Sequence, residues 1–172
     1  MSLKNQLTVA VIGIGHWGPN VVRNFVNHPR VQLRYVCDID TEAFKRVSKL
    51  IPDECQFVTD ASVIFSDTDI DAVAIITHAS SHHELVKQAL LEKKHVLCEK
   101  PLALNVREGE ELCLLAEPSR LKLMVGFTFL FNNGVLKLKE LKSSGSLGKI
   151  YYLTSVRTHM GLVRQDVDVF WD

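Results

Sequence analysis

Short apolar runs alternate with amphipathic stretches along the first part of this chain. Leu7 to Ile12 (LTVAVI) carries no charge, which predicts a strand buried on both faces. Pro19 to Asn27 reads as an amphipathic helix, with a proline tolerated in its first turn. Val31 to Cys37 (VQLRYVC) reads as a second strand, and Glu42 to Leu50 as a second helix with Asp40 or Thr41 placed to cap it. Cys55 to Val58 is a short strand, Asp60 to Phe65 a helical turn opened by an aspartate, and Asp71 to Ile76 (DAVAII) another buried strand. Ser81 to Lys93 reads as a helix, with Ser81 and Glu84 at the spacing of a capping box. His95 to Cys98 (HVLC) is a strand. Val106 to Glu117 is a helix capped by Asn105 and stopped by Pro118, and Leu121 to Phe127 is a sixth strand. Strand and helix taking turns at this spacing predict an α/β fold, a doubly wound parallel sheet over residues 1–125.

The pattern then changes. Thr128 to Gly134 reads as a loop, Val135 to Lys142 as a helix, 143–148 as a turn, and Lys149 to Thr158 (KIYYLTSVRT) as a strand with partial alternation. Residues 126–172 therefore look like the beginning of a second, α+β domain with a sheet of its own. One strand and one helix cannot bury their own apolar faces. The expectation is that the chain is a portion of a longer protein, or needs a partner chain.

The candidate chemistry gathers at the ends of the strands. Gly13-Ile14-Gly15-His16-Trp17-Gly18 follows the first strand and opens the first helix, the context in which G-x-G-x-x-G signals a dinucleotide site. The first glycine allows the tight turn and the second lets a pyrophosphate approach the backbone. The third lets the helix pack closely. Free N–H groups and the helix dipole at that end favour phosphate. Asp38 ends the second strand, where an acid accepts hydrogen bonds from the adenosine ribose hydroxyls. Its charge would repel a 2′-phosphate and Ile39 beside it offers no cation, so NAD is favoured over NADP; Arg34 is expected to point elsewhere.

Thr77 and His78 lie in the loop after the fourth strand, on the edge where ligands bind in such sheets. For His82 the residues leave two readings open, a cofactor-side contact or a packed imidazole at a helix start. His82 and His83 are adjacent and point in different directions on a helix, so no metal site is expected. Glu99-Lys100-Pro101 runs straight out of the fifth strand onto the same edge, and the proline holds Lys100 in extended geometry; these three residues alone equally allow a surface ion pair in a turn.

Composition narrows the function further. Lys+Arg and Asp+Glu are both 20 in 172 residues, so nothing electrostatic favours nucleic acid or an anionic membrane as partner. No apolar run approaches the length of a spanning helix. Cys37, Cys55, Cys98 and Cys113 form no C-x-x-C pair and read as buried, reduced thiols of a cytoplasmic protein.

The order of these motifs resembles the glucose–fructose oxidoreductase / inositol dehydrogenase / MocA (Gfo/Idh/MocA) family of NAD(P)-dependent oxidoreductases. GIGHWG resembles its cofactor loop, THASSHHEL its T-P-x-x-x-H-x-E-L segment, and CEKPLALN its E-K-P signature. Gly126 to Tyr152 resembles the passage into the second domain, and the final Trp171-Asp172 the start of a D-x-x-x-H motif. His78 departs from the proline usual at its place, and Asn133-Gly134 from a Pro-Ala-like pair.

The resemblance implies a Rossmann domain followed by a mostly antiparallel sheet domain that carries the substrate pocket and commonly an oligomer interface, hence a homo-oligomer. It implies hydride transfer between NAD(P) and a carbinol carbon of a sugar, inositol or sugar nucleotide. Lys100 would lie beside nicotinamide and substrate, positioned by Glu99 and Pro101. Asp172 would be the second catalytic residue, with a histidine expected four residues later. Gly13 to Gly18, Asp38, Ile39, Thr77, His78, His82, Glu99 and Lys100 would face the cofactor. Thr128, Phe129 and Asn132 leave two readings open, lining the near side of the substrate pocket or packing the loop. The 172-residue chain itself is expected to turn over little. The alternative from another class is a non-catalytic NAD-binding module, which would keep the glycines and Asp38 but have no need of Lys100.

Overall fold

The computed structural model describes residues 6–156. Among these, one unit runs to Gly126 and a second begins at Phe127.

The first unit is built on six parallel strands, β1 (Leu7–Ile12), β2 (Val31–Cys37), β3 (Gln56–Val58), β4 (Ala72–Ile75), β5 (His95–Cys98) and β6 (Leu123–Val125), in the order β3-β2-β1-β4-β5-β6. The chain winds one way from β1 through β3 and the other way from β4 through β6. The crevice between β1 and β4 is thus a topological switch point, where such sheets bind ligands. Register brings Val58, Cys37, Ile12, Ile75, Cys98 and Val125 into one row of carboxyl ends.

Both faces of the sheet are covered, which explains why its strands read as unbroken apolar runs. On one face Ala10, Ile12, Val73 and Ile75 pack with Ile64 and Phe65 of α2 (Ser62–Ser66), Val86 and Leu90 of α3 (Ala79–Leu91), and Leu112 of α4 (Val106–Ala116). On the other, Val11, Val36 and Ala74 pack with Val22 of α1 (Gly18–Val26) and with Ala43 and Val47. Successive residues of one strand serve opposite faces, the period-2 consequence of a pleat.

Several expectations needed correction. The helix expected over 42–50 is a 3₁₀ turn, Thr41–Arg46, with Asp40 accepting from the Glu42 N–H. Only Ala43 within it is buried, so a short, tightly wound segment suffices. Helix α3 starts two residues before Ser81, with His78 at its N-cap. Ser81 therefore makes no capping box; its hydroxyl lies 2.8 Å from both Thr77 Oγ1 and the His78 carbonyl oxygen. Cys113 is exposed, because the buried stripe of α4 is Leu112 and Ala116, and the next residue round the helix points away.

In the second unit a 3₁₀ turn, Thr128–Phe131, leads into α5 (Asn133–Ser143). Asn132 caps that helix, accepting from the N–H groups of Gly134 and Val135. The strand expected from Lys149 is not formed over residues 149–156, since a strand needs a neighbour and none lies beside it among the described residues. Asp172 lies outside the described residues.

Candidate active site

Past the strand ends, backbone hydrogen bonds continue the sheet by one residue. Asp38 N–H donates to Val58 O, Gly13 to Cys37 O, Ile76 to Ile12 O, Glu99 to Ile75 O and Gly126 to Cys98 O. These five bonds set the second-strand acid, the glycine turn, the Thr77 loop and the Glu99-Lys100-Pro101 loop along one edge.

The three glycines of the turn differ in what holds them. Gly13 has φ +95°, and a Cβ there would lie 2.6 Å from the carbonyl carbon and oxygen of Ile76. A Cβ on Gly18 would lie 2.5 Å from the Gly13 carbonyl oxygen, so α1 can start this close to the turn only with glycine there. Gly15 has neither constraint: beyond its own chain neighbours, no atom of the described residues lies within 4 Å of its Cβ position. The protein itself would accept a side chain at Gly15. A ligand laid against that backbone would not.

Asp38 is half-buried, and both its carboxylate oxygens take backbone donors. Ile14 N–H donates to Oδ2 at 2.7 Å and Asp40 N–H to Oδ1 at 3.0 Å. Each oxygen retains a second lone pair, so the ribose hydroxyls can still be accepted while the carboxylate is held in place. Ile39 beside it is 91% exposed. Arg34 is turned away to Asp67 (3.0 Å) and Asp69 (3.5 Å). His16 and Trp17 are exposed on the loop, whereas Ile14 is fully buried under it.

On the other side of the crevice, His82 is 1% exposed. Its Nδ1 lies 2.6 Å from the Pro101 carbonyl oxygen and its Nε2 3.1 Å from the Thr77 carbonyl oxygen. The ring joins the two loops from behind, so the packed reading of this histidine is the one the geometry carries. His83 goes the opposite way, to Glu111 at 2.9 Å. His78 is exposed at the start of α3.

Glu99 and Lys100 are half-buried, and the Lys100–Pro101 peptide is cis. Glu99 Oε2 accepts from the Lys100 N–H at 3.2 Å. A Cβ on Gly126 would lie 2.9 Å from Glu99 Oε1, so the carboxylate occupies space that a side chain there would share.

Two contributors escaped the sequence reading. Gly126 closes on Glu99 from another strand, and Arg46 Nη1 donates to the Ile14 carbonyl at 3.0 Å. No local spacing marks either one. Thr128, Phe129 and Asn132 belong to the second unit and are exposed, Asn132 as the cap of α5. Burial pushes the thiols of Cys37 and Cys55 up to about 11, with Asp38 and Asp60 adding to the effect at Cys37. Burial also raises Cys98, beside Glu99, so these groups stay neutral thiols at neutral pH.

The arrangement has room for a dinucleotide: an open glycine at the turn, an acid held by two backbone N–H groups, and a lysine farther along the same edge. Comparison with known proteins agrees. The profile of the oxidoreductase family with an NAD-binding Rossmann fold matches residues 7–127. The myo-inositol 2-dehydrogenase of Thermotoga maritima is 28% identical over 147 residues, which are 86% of this chain and 44% of that protein. An uncharacterised oxidoreductase of Bacillus subtilis is 28% identical over 152 residues, 88% of this chain and 44% of its own. The chain thus spans under half the length of these relatives.

Among solved structures, GenD2 from gentamicin A biosynthesis, in complex with NAD, superposes with a TM-score of 0.76 at 25% identity, covering 83% of this chain and 40% of GenD2. The 3-ketoreductase KijD10 from Actinomadura kijaniata, with NADP and TDP-benzene, gives 0.73 at 25% identity, covering 82% and 43%. With the profile matched along the whole parallel sheet and the glycine turn, the acid and the lysine loop on its carboxyl edge, this chain belongs to the Gfo/Idh/MocA oxidoreductase family.

Proposed function

We propose that the protein is an NAD(P)-dependent dehydrogenase that moves a hydride between the nicotinamide and a carbinol carbon of a sugar, inositol or sugar nucleotide. The observation that carries the cofactor half is Gly15, a glycine with no structural need to be one. A bound nicotinamide supplies the hydride acceptor or donor; the chain supplies binding, orientation and charge. The glycine turn offers N–H groups and room, and Asp38 takes the ribose hydroxyls. Its negative charge favours NAD over NADP.

Lys100 is the residue proposed to face the reacting oxygen. Its ammonium can donate to that oxygen and stabilise the charge that develops there. Glu99 and Pro101 orient it, and His82, tying Pro101 to Thr77, keeps the two loops in register. Asp172 is proposed as the second catalytic group, Thr128 and Asn132 as substrate contacts, and the second domain as a homo-oligomer interface. The relatives in question are an inositol dehydrogenase and proteins crystallised with NAD or NADP, which supports the substrate class and leaves either cofactor usable.

The deciding experiment is NADH binding to Gly15→Ala. Affinity falls by about tenfold or more, while the unfolding midpoint moves by no more than about 0.5 kcal/mol equivalent. A variant that binds NADH as the wild type does removes the reading. In the catalytically complete protein, Lys100→Ala lowers kcat about a hundredfold and leaves the NADH Kd within about threefold; an unchanged kcat takes Lys100 out of the chemistry.

A further inference from the structure

Arg46 takes no part in the roles proposed for Gly15, Asp38 and Lys100. It stands on the 3₁₀ turn after β2 and donates from Nη1 to the Ile14 carbonyl at 3.0 Å. The Ile14 N–H in turn donates to Asp38 Oδ2 at 2.7 Å. Ile14, inside the glycine turn, is therefore held from both sides, by a carboxylate on its N–H and a guanidinium on its carbonyl. Arg46 also lines an open cleft of about 320 Å³ together with Gly15, His16 and Pro19. One wall of that cleft is the glycine whose Cβ position is empty, and another is a fixed cation.

We propose that Arg46 is a phosphate-binding residue of the dinucleotide site. A guanidinium presents several N–H donors in a planar fork, and one donated to a carbonyl leaves others for phosphate oxygens. The bond to Ile14 fixes the fork before the ligand arrives, so less side-chain freedom is lost on binding. The proposal rests on the NAD(P) reading and adds a residue to it. The phosphate is either the pyrophosphate common to both cofactors or the 2′-phosphate of NADP, and which one it is sets how far the preference from Asp38 extends. Arg46 is exposed, so the pairing is screened and its effect is moderate and salt-dependent.

The test uses Arg46→Ala and Arg46→Gln in the 172-residue chain. Glutamine keeps a neutral N–H donor for the Ile14 carbonyl and has no charge. NADH, NADPH and ADP are titrated directly at low and high KCl, and adenosine by competition with NADH. Both variants are expected to bind the ligands that carry the phosphate in question about tenfold more weakly, with a shallower salt dependence, and adenosine within about twofold of wild type. Equal losses for NADH and NADPH assign the pyrophosphate; a loss confined to NADPH assigns the 2′-phosphate. Wild-type binding of NADH, NADPH and ADP alike in Arg46→Gln, or an adenosine loss as large as that for ADP, overturns the proposal, because Arg46 then only holds the turn. A wild-type chain that binds neither dinucleotide overturns the cofactor reading itself, an outcome distinct from variants that bind normally.

Discussion

The two units of this chain treat the same kind of helix in opposite ways. Helix α4 carries Leu112 and Ala116 into a core shared with four strands and two other helices. Helix α5 is as long and carries leucines and a valine, yet none of its residues is buried, and none in the 3₁₀ turn before it. Both helices are capped by an asparagine, Asn105 and Asn132. Local sequence thus suffices to start and stop a helix in either unit. What α5 lacks among the described residues is a second layer to take its apolar face, and that is the part of folding that carries most of the energy.

The strongest way to break this contrast is through backbone positions. Gly13→Ala in the first unit meets both a φ of +95° and the Ile76 carbonyl at 2.6 Å, and should cost about 4 kcal/mol. Gly148→Ala in the second unit has a φ of +61° but open space, and should cost only about 1 kcal/mol. Urea unfolding of the two variants measures the difference; equal costs would mean that Gly13 is not wedged against β4. Next in size is a leucine pair. Leu112→Ala, from a 0% exposed site, should destabilise by about 3 kcal/mol, and Leu138→Ala, from a 60% exposed one, by less than about 0.5 kcal/mol. A large loss at Leu138 would show that α5 is packed in solution.

The smallest effect is alkaline. In the unfolded chain the cysteines ionise near pH 9, whereas Cys37 and Cys55 keep their protons in the fold until about pH 11. Between these values the unfolded state binds fewer protons, so stability is fully present below pH 9 and falls as pH rises toward 11. Cys98 continues the same loss above that range. All three belong to the first unit, so its melting temperature should drop through this window, and a Cys37→Ala, Cys55→Ala double variant should drop less steeply. A melting temperature that stays flat to pH 11 in the parent chain would contradict the burial of these thiols.

Much of the first unit was legible because its strands are buried on both faces. A run such as LTVAVI or DAVAII has few other places to go, and glycine, aspartate and asparagine mark the turns between the runs. The glycine turn, Asp38 and the Glu99-Lys100-Pro101 loop were legible for the same reason: once the strands are placed, the residues after them share one edge. One of the misreadings was a local competition between similar caps. Ser81 offered a capping box, but the chain turned helical two residues sooner, at His78. The strand from Lys149 was a fair reading of alternation, but alternation does not supply a partner strand.

The sequence by itself determined which segments become strands, where ligand-facing loops leave them, and which family the chain belongs to, because these follow from local pattern and from motifs with fixed spacing. Tertiary structure alone decided the finer placements. It put Arg46 on the Ile14 carbonyl, set His82 between Thr77 and Pro101, and seated the Glu99 carboxylate against Gly126. It also separated Gly13 and Gly18, which the fold requires, from Gly15, which it does not. The physical reason is the same in each case. A hydrogen bond or a close approach between residues distant in the chain exists only after parallel strands have been brought side by side, and no local spacing encodes it.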